Sequence, residues 1–270
     1  LRAMACLRSL ALLVNDSEWK FFYGELKKLS GVDFNLYKQD QLQRRIKGVL
    51  ELWQVATLGD LATRLSKNPA DLRKFMDKMA INVSEMFRNP EKWAELQSKV
   101  LPALYQSSRR LKCWSAGCSY GAEAYTLSMI LAEHFPGSHQ IMGSDIDDAA
   151  LAQAREGALS DNDVRGVPEA YRAKYLEKAG NGFKVNERIR KSCLFQKGNL
   201  LADNFQEGFD LIMCRNVVIY FNDAARDHVH RGIASALKPG AYLMVGSTER
   251  VADPASLGIA PTYPFIYRKA

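Results

Sequence analysis

The sequence predicts an α/β protein. We expect a small all-helical amino-terminal domain, followed by a doubly wound, mainly parallel sheet with a small antiparallel β insertion. Up to about residue 100, apolar residues recur at three- and four-residue steps, as they do on one face of a helix. The recurring sets are Phe21, Phe22, Leu26 and Leu29, then Leu42, Ile46 and Leu50, then Leu58, Leu61 and Leu65, and finally Leu72, Phe75, Met76 and Met79. From residue 101 onward, short apolar runs alternate with helical patterns, which is typical of strand–helix units around a parallel sheet. Residues 157–198 interrupt that alternation.

Composition narrows the class of protein. The chain has 270 residues, of which 47% are hydrophobic and 25% charged, as in ordinary globular proteins. No apolar run approaches the ~18 residues of a membrane span, and the run at 10–14 lacks a convincing signal-peptide cleavage site. The five cysteines are irregularly spaced and form no C-x-x-C pair, which favours a reducing, cytoplasmic setting without disulfides or zinc.

The net charge is +7, and most of the excess lies in residues 1–100. A basic surface favours an acidic partner, which could be a protein, a nucleic acid or lipid headgroups. A solvated helical surface explains the same charge, so charge alone identifies no partner.

The helical pattern assigns the first domain to residues 18–95. Asn68-Pro69 and Asn89-Pro90 punctuate it, and each proline is suited to the first turn of the next helix. Residues 1–17 remain an unassigned leader.

The second domain is assigned to residues 96–270. Its predicted strands cover 111–115, 140–144, 209–214, 241–246 and 263–268, and its main helices begin near 122, 149 and 224. Gly180-Asn181-Gly182 is a turn between apolar runs, so we place the β insert at about 176–196.

Two features point to a nucleoside-containing ligand. Residues 115–121 form a small-residue loop between a strand and a helix, where backbone amides can approach a ligand closely. Asp145 ends the next strand, the position from which an acid accepts hydrogen bonds from ribose hydroxyls. The loop could be an ordinary turn, and Asp145 could be a helix N-cap. The pair does not separate NAD from S-adenosylmethionine, although no G-x-G-x-x-G or P-loop lysine is present.

Two further segments are polar and ambiguous. Residues 214–221 (CRNVVIYF) follow a buried strand at the edge where open α/β sheets bind ligands, but they could be a loop with an aromatic anchor. Residues 81–90 (INVSEMFRNP) join the two domains, and by themselves they favour a structural role. The four histidines form no metal-binding pattern, so we expect no metal.

Taken in order, these blocks resemble the chemotaxis receptor glutamate O-methyltransferase family (CheR-type). The matching blocks are INVSEMFRNP at 81–90, WSAGCSYGAEAYT at 114–126, SDID at 144–147, GNLL at 198–201, CRNVVIYF at 214–221 and LKPGAYLMVGSTE at 237–249. The resemblance runs from about residue 20 to the end. It implies a class I methyltransferase-like fold, S-adenosylmethionine as cofactor and S-adenosylhomocysteine as product.

The resemblance also implies site residues. It assigns cofactor binding to Asn82, Ser84, Arg88, Glu123, Asp145, Asn199, Leu200, Arg215 and Asn216. It places Tyr220 beside the transferred methyl group, and makes Arg88 and Tyr220 the catalytic pair. It directs the basic helix with Arg44, Arg45 and Lys47 toward the acidic bundle of methyl-accepting receptors. One departure is Ala122-Glu123-Ala124, where the family commonly has Glu-Glu-Pro and one acid is kept.

The implied reaction needs no general base, because a glutamate with a pKa of about 4.3 is already an anion at neutral pH. We expect a cytoplasmic monomer that is recruited to membrane receptors without inserting, and that binds no nucleic acid. The alternatives are a methyltransferase acting on RNA or another protein, and a non-catalytic receptor-binding adaptor. An NAD-dependent oxidoreductase lacks its glycine fingerprint.

Overall fold

The computed structural model of the protein describes residues 14–80 and 84–270. These residues form two compact units. The first unit holds the described residues up to 80 together with Tyr220–Ala225, and the second holds 84–219 and Arg226–Ala270. Of the predicted features, residues 1–13 of the leader and Asn82 lie outside the described residues.

The first unit is helical, as predicted. Its elements are α1 (Asp16–Ser30), a 3-10 turn (Phe34–Leu36), α2 (Gln39–Trp53), α3 (Leu58–Lys67) and α4 (Pro69–Met79). The helix α1 begins inside the stretch that the sequence left unassigned, because Asn15 and Glu18 form a capping box. Asn68 caps α4 with its side chain, and Pro69 occupies the first turn.

The core of the first unit uses the residues that the helical periodicity predicted. Phe22, Leu26, Ile46, Leu61 and Phe75 are all fully buried. The separate segment Tyr220–Ala225 joins this unit through backbone hydrogen bonds. Tyr37 and Phe221 form an isolated antiparallel bridge, and the Asn222 amide donates to the Leu36 carbonyl at 2.9 Å.

The second unit alternates strands and helices. Its helices are α5 (Pro90–Glu95), α6 (Leu101–Ser107), α7 (Ala122–His134), α8 (Asp148–Glu156), α9 (Glu169–Tyr175) and α10 (Glu187–Lys191), and α11 (Asp223–Ala236) begins in the first unit and continues here. A π-helical turn, Leu96–Val100, connects α5 with α6. The predicted boundary at residue 95 therefore lies inside this unit, which already includes Ser84.

The main sheet has seven strands in the order β6-β2-β1-β7-β8-β10-β9. They are β1 (Lys112–Ala116), β2 (Gln140–Asp145), β6 (Cys193–Lys197), β7 (Phe209–Cys214), β8 (Leu237–Val245), β9 (Ile259–Tyr263) and β10 (Ile266–Lys269). The first five pair in parallel, and β10 pairs antiparallel with both β8 and β9. The strand β7 is buried along its whole length, as a central strand covered on both faces should be. The predicted fold class is confirmed.

The small antiparallel sheet differs in extent from the predicted insert. It contains β3 (Ala158–Leu159), β4 (Leu176–Ala179) and β5 (Gly182–Val185), in the order β3-β5-β4. The predicted range of 176–196 also took in β6, which the structure instead pairs in parallel with β2 as an edge strand of the main sheet. The apolar pattern cannot show which sheet a short strand joins, because that depends on its partner.

Within residues 14–80 and 84–270, none of the helices combines the length and the hydrophobicity that crossing a bilayer requires.

Candidate functional site at the carboxyl ends of the strands

The parallel strands bring distant segments together at one edge of the sheet. Because β1, β2, β6, β7 and β8 run in the same direction, the residues after each strand meet at their carboxyl ends. These residues are the loop 117–121, Asp145, Asn199, Arg215, Asn216 and Glu249.

The loop after β1 needs its glycines. Gly117 has φ 75°, and an added Cβ would lie 2.4 Å from Cγ2 of Val217 in the turn after β7. Gly121 has φ 87°, and its Cβ would lie 2.8 Å from the Phe195 ring. Both positions combine left-handed backbone with a close neighbour, so glycine is required there. The small residues of the loop therefore allow close packing at this edge.

Asp145 holds the same loop from the neighbouring strand. Its Oδ2 accepts a hydrogen bond from the Ser119 amide at 2.7 Å, and its Oδ1 accepts one from the Asp147 amide at 3.0 Å. Burial raises the pKa of Asp145, and these amide bonds oppose the rise. The N-cap of α8 is Asp147, so Asp145 does not have the capping role that the sequence left open.

Glu123 and Arg215 form a buried ion pair. Glu123 Oε1 accepts the Ser115 hydroxyl at 2.7 Å, and its Oε2 lies 3.4 Å from Nη1 of Arg215. Burial raises the pKa of Glu123, whereas the nearby guanidinium lowers it. The Nε of Arg215 is buried and has no hydrogen-bond partner among the described residues. Ala122 and Ala124, which flank the acid, are fully buried.

The predicted segment around Ser84 and Arg88 belongs to the same unit. Nη2 of Arg215 donates to the Arg88 carbonyl at 3.1 Å and to Oδ1 of Asn89 at 3.2 Å. The Tyr120 hydroxyl donates to the Ser84 carbonyl. Ser84 and Arg88 are both half-buried. The loop after β1 and the turn after β7 thus bond the backbones of Ser84 and Arg88, which places this segment at the site edge.

The turn after β6 is tied to Asp145. The Gly198 amide donates to the Asp145 carbonyl at 2.9 Å. Asn199 donates its amide to Oδ2 of Asp203 at 2.6 Å and accepts the Leu201 amide on Oδ1 at 3.0 Å. Leu200 is buried. The structure therefore brings the predicted pair 199–200 to the same edge as Asp145.

Asn216 is held by an acid to which the sequence assigned no role. Asn216 has φ 60°, and its amide donates to Oε2 of Glu249 at 2.7 Å. Glu249 is buried, and burial raises its pKa while the amides of Asn216 and Gly246 oppose the rise. In the sequence, Glu249 is marked by its position, as an acidic residue four places after the last apolar residue of β8.

The remaining predicted residues lie in the first unit. Tyr220 ends the 3-10 turn Val218–Tyr220, and its carbonyl accepts the Lys38 amide at 2.9 Å. On α2, Arg44 is exposed and Lys47 is half-buried. Arg45 is also half-buried, and its Nη1 donates to the Met79 carbonyl at 3.0 Å, at the end of α4.

The chemistry available at the edge is charge pairing and hydrogen bonding. Burial raises the pKa values of Cys118 and Cys214, so these thiols stay protonated and are poor nucleophiles. In the part of the chain that the structure describes, no group of His, Cys, Asp and Glu side chains is arranged to hold a metal ion. Two carboxylates and a guanidinium with a spare donor suit a ligand that carries an amine, a carboxylate and hydroxyl groups.

Comparison with known proteins covers almost the whole chain. Residues 82–261 match the family model described as CheR methyltransferase, SAM binding domain, and residues 17–80 match the CheR methyltransferase all-alpha domain. A chemotaxis protein methyltransferase of Listeria monocytogenes is 33% identical over 94% of this chain and 98% of its own length. Chemotaxis protein methyltransferase 1 of Pseudomonas aeruginosa is 30% identical over 87% of this chain and 90% of its own.

Proposed function

The chain belongs to the CheR methyltransferase family and is an S-adenosylmethionine-dependent methyltransferase of chemotaxis, and we propose that it esterifies glutamate side chains of bacterial chemoreceptors. The observation that carries the proposal is the extent of the match. It includes the all-helical domain as well as the cofactor-binding domain, and so covers more than a shared cofactor fold. The products are a glutamate methyl ester and S-adenosylhomocysteine.

The charged groups at the sheet edge fit S-adenosylmethionine, which carries an ammonium, a carboxylate and a ribose diol. We assign the ammonium to Glu123, because an ionised carboxylate forms a charge-assisted hydrogen bond with an ammonium group. We assign the carboxylate to Arg215, whose buried Nε is left to bond a ligand oxygen. Asp145 retains further lone pairs beyond its two amide bonds, and these suit the ribose hydroxyls.

The neighbouring turns complete the proposed cofactor site. Asn216 follows Arg215 directly, and Ser84 is held by Tyr120 of the loop after β1. Asn199 and Leu200 follow Gly198, whose amide bonds the Asp145 carbonyl. Asn82 remains a prediction from the sequence.

S-Adenosylmethionine supplies an electrophilic methyl group on its sulfonium sulfur. The acceptor glutamate is an anion at neutral pH, so the protein does not have to remove a proton. Its task is to hold the carboxylate oxygen in line with the methyl carbon at near-attack distance. We assign that positioning to Arg88, which can pair with a carboxylate, and to Tyr220, which can donate a hydrogen bond from its hydroxyl.

The basic helix α2 supports an acidic protein partner. Arg44 and Lys47 are three positions apart and lie on one side of the helix. We propose that these two residues, with Arg45, attract the acidic helical bundle of the receptors. Such contacts act chiefly on association rate and weaken with salt.

The proposal is tested by incubating the full chain with methyl-labelled S-adenosylmethionine and a chemoreceptor signalling fragment. We expect label on the receptor that is released as methanol by mild base, because carboxyl methyl esters are base-labile. A receptor fragment with its acceptor glutamates changed to glutamine is the matched control. Base-stable label, or label on added RNA instead of the receptor, would refute the proposal.

A further inference from the structure

A buried carboxylate, Glu249, lies behind the turn that follows β7. The residue is 4% exposed. Its Oε2 accepts the Asn216 amide at 2.7 Å and the Gly246 amide at 2.6 Å. Because β7 and β8 pair in parallel, and these two amides follow their ends, one oxygen ties together the exits of two neighbouring strands.

The turn held in this way has an unusual backbone. Asn216 adopts φ 60°, in the left-handed region that most residues avoid and that asparagine tolerates better than most. The next residue, Val217, fills the space where a side chain at Gly117 would lie. The turn is therefore fixed by the acid on one side and by the loop after β1 on the other.

The space around the carboxylate is equally restricted. A Cβ added to Gly246 would lie 2.3 Å from Oε2 of Glu249 and 3.0 Å from the Asn216 nitrogen. Position 246 can therefore carry a side chain only if the carboxylate or the Asn216 amide moves.

We propose that Glu249 is a positioning residue for cofactor binding, which holds the Arg215-Asn216 turn in its binding shape through the Asn216 amide. Glu249 does not contact the cofactor in this proposal. The proposal rests on the assignment of Arg215 and Asn216 to the cofactor site.

The role requires an acceptor oxygen at this place. Both amide bonds go to Oε2, whereas Oε1 is buried and has no hydrogen-bond partner among the described residues. Burial raises the pKa of Glu249, and the amides of Asn216 and Gly246 oppose the rise by stabilising the anion. Glutamine can keep both bonds through its amide oxygen, whereas leucine has a similar volume and offers no acceptor.

The test compares Glu249→Leu with Asp210→Leu in the full chain. Asp210 is also a buried acid that accepts a backbone amide from a neighbouring strand, with Oδ2 2.7 Å from the Lys112 nitrogen, but it lies at the amino end of β7. We expect Glu249→Leu, which removes the acceptor of both amides, to weaken S-adenosylhomocysteine binding at least tenfold by calorimetry, normalised to folded protein. Asp210→Leu should change that affinity less than twofold.

Two further variants separate the possible failures. Gly246→Ala should reproduce the loss of affinity, because the added methyl displaces the carboxylate. Asp145→Asn reports on the cofactor site without touching this turn. If Asp145→Asn weakens binding but Glu249→Leu and Gly246→Ala do not, the positioning role is wrong.

If Asp145→Asn has no effect, the cofactor site itself is misplaced. An equal loss in Asp210→Leu and Glu249→Leu would show that Glu249 has only a general structural role. None of these binding measurements depends on the identity of the methyl acceptor.

Discussion

Buried acids near the two ends of β7 have different hydrogen-bond and charge partners. At the amino end, Asp210 pairs with Nζ of Lys238 at 2.7 Å and accepts the Lys112 amide, so a cation compensates its charge. At the carboxyl end, Glu249 is compensated by backbone amides alone among its described hydrogen bonds. Glu123 has a guanidinium partner at the longer distance of 3.4 Å. Burial raises the pKa values of Glu123 and Glu249.

This difference separates an acid that stabilises the fold from two acids that serve the cofactor site, Glu123 directly and Glu249 through the turn that it holds. A raised pKa means that the folded protein disfavours the charged form relative to water. At Glu123, a bound ligand that offers an ammonium group would compensate the charge. The carboxyl edge therefore gives up some stability to retain charges for binding.

Replacing Glu123 should give the largest effect. Glu123→Gln keeps the shape but removes the anion opposite Arg215 and the proposed partner of the cofactor ammonium. A charge-assisted hydrogen bond contributes about 1.5–3 kcal/mol, so we expect cofactor affinity to fall by about 10- to 150-fold. Calorimetric titration with S-adenosylhomocysteine measures the change. Glu133→Gln, at the other end of α7, is the matched control and should bind normally. Equal affinities in both variants would show that the acid at the carboxyl edge of the sheet has no special role in cofactor binding.

Replacing Asp210 should have the opposite profile. Asp210→Asn weakens the contact with Lys238 and the bond to the Lys112 amide, both near the buried start of β7. We expect the free energy of unfolding to fall by about 1–3 kcal/mol, as urea denaturation would show. Methyl transfer by the folded fraction should stay within twofold of the unsubstituted chain. A loss of activity without a loss of stability would contradict the comparison.

Glu249 should make the stability of the protein depend on pH. Because burial raises the pKa of Glu249 above its usual 4.5, the native state holds this proton more tightly than the unfolded chain does. The free energy of unfolding that this group contributes therefore falls as pH rises through the window above 4.5. Glu249→Gln lacks this contribution, so its stability relative to the unsubstituted chain should rise with pH.

The comparison must be made between variants. Burial lowers the pKa of His230 to about 4, which adds a slope of opposite sign below its usual 6.5 in both proteins. Urea denaturation at a series of pH values from 4.5 to 7 gives the difference. A difference in stability that is constant with pH, or that changes in the other direction, would show that burial does not disfavour the charged form of Glu249.

The sequence predicted the parts of the fold that follow from local periodicity. The buried run of β7 and the helical core residues Phe22 and Ile46 appear where the apolar pattern put them. The pattern misplaced β6, because an edge strand and an insert strand look alike until their partner is known.

The site was predictable where a residue type carries its own signal. The glycine loop and Asp145 have such a signal, since each follows a strand that the sequence shows. Glu249 does not, because its importance comes from two amides brought to it by the pairing of β7 and β8. The family resemblance groups Arg45 with Arg44 on one basic helix, and the structure gives Arg45 a hydrogen bond to the end of α4.

The neighbouring arginines of α2 extend the same comparison to the helical unit, with smaller effects. Arg45→Ala removes the bond from Nη1 to the Met79 carbonyl, so we expect a loss of about 1 kcal/mol in the free energy of unfolding. Arg44 is exposed, and Arg44→Ala should change stability by less than about 0.5 kcal/mol.

If α2 faces an acidic receptor, Arg44→Ala should instead raise KM for the receptor fragment by about two- to fivefold at low salt. That difference should shrink as ionic strength rises, because exposed charges are screened. Urea denaturation and methylation kinetics at two salt concentrations measure both variants. Unchanged KM in Arg44→Ala, together with a raised KM and unchanged stability in Arg45→Ala, would show that Arg45 and not Arg44 makes the receptor contact.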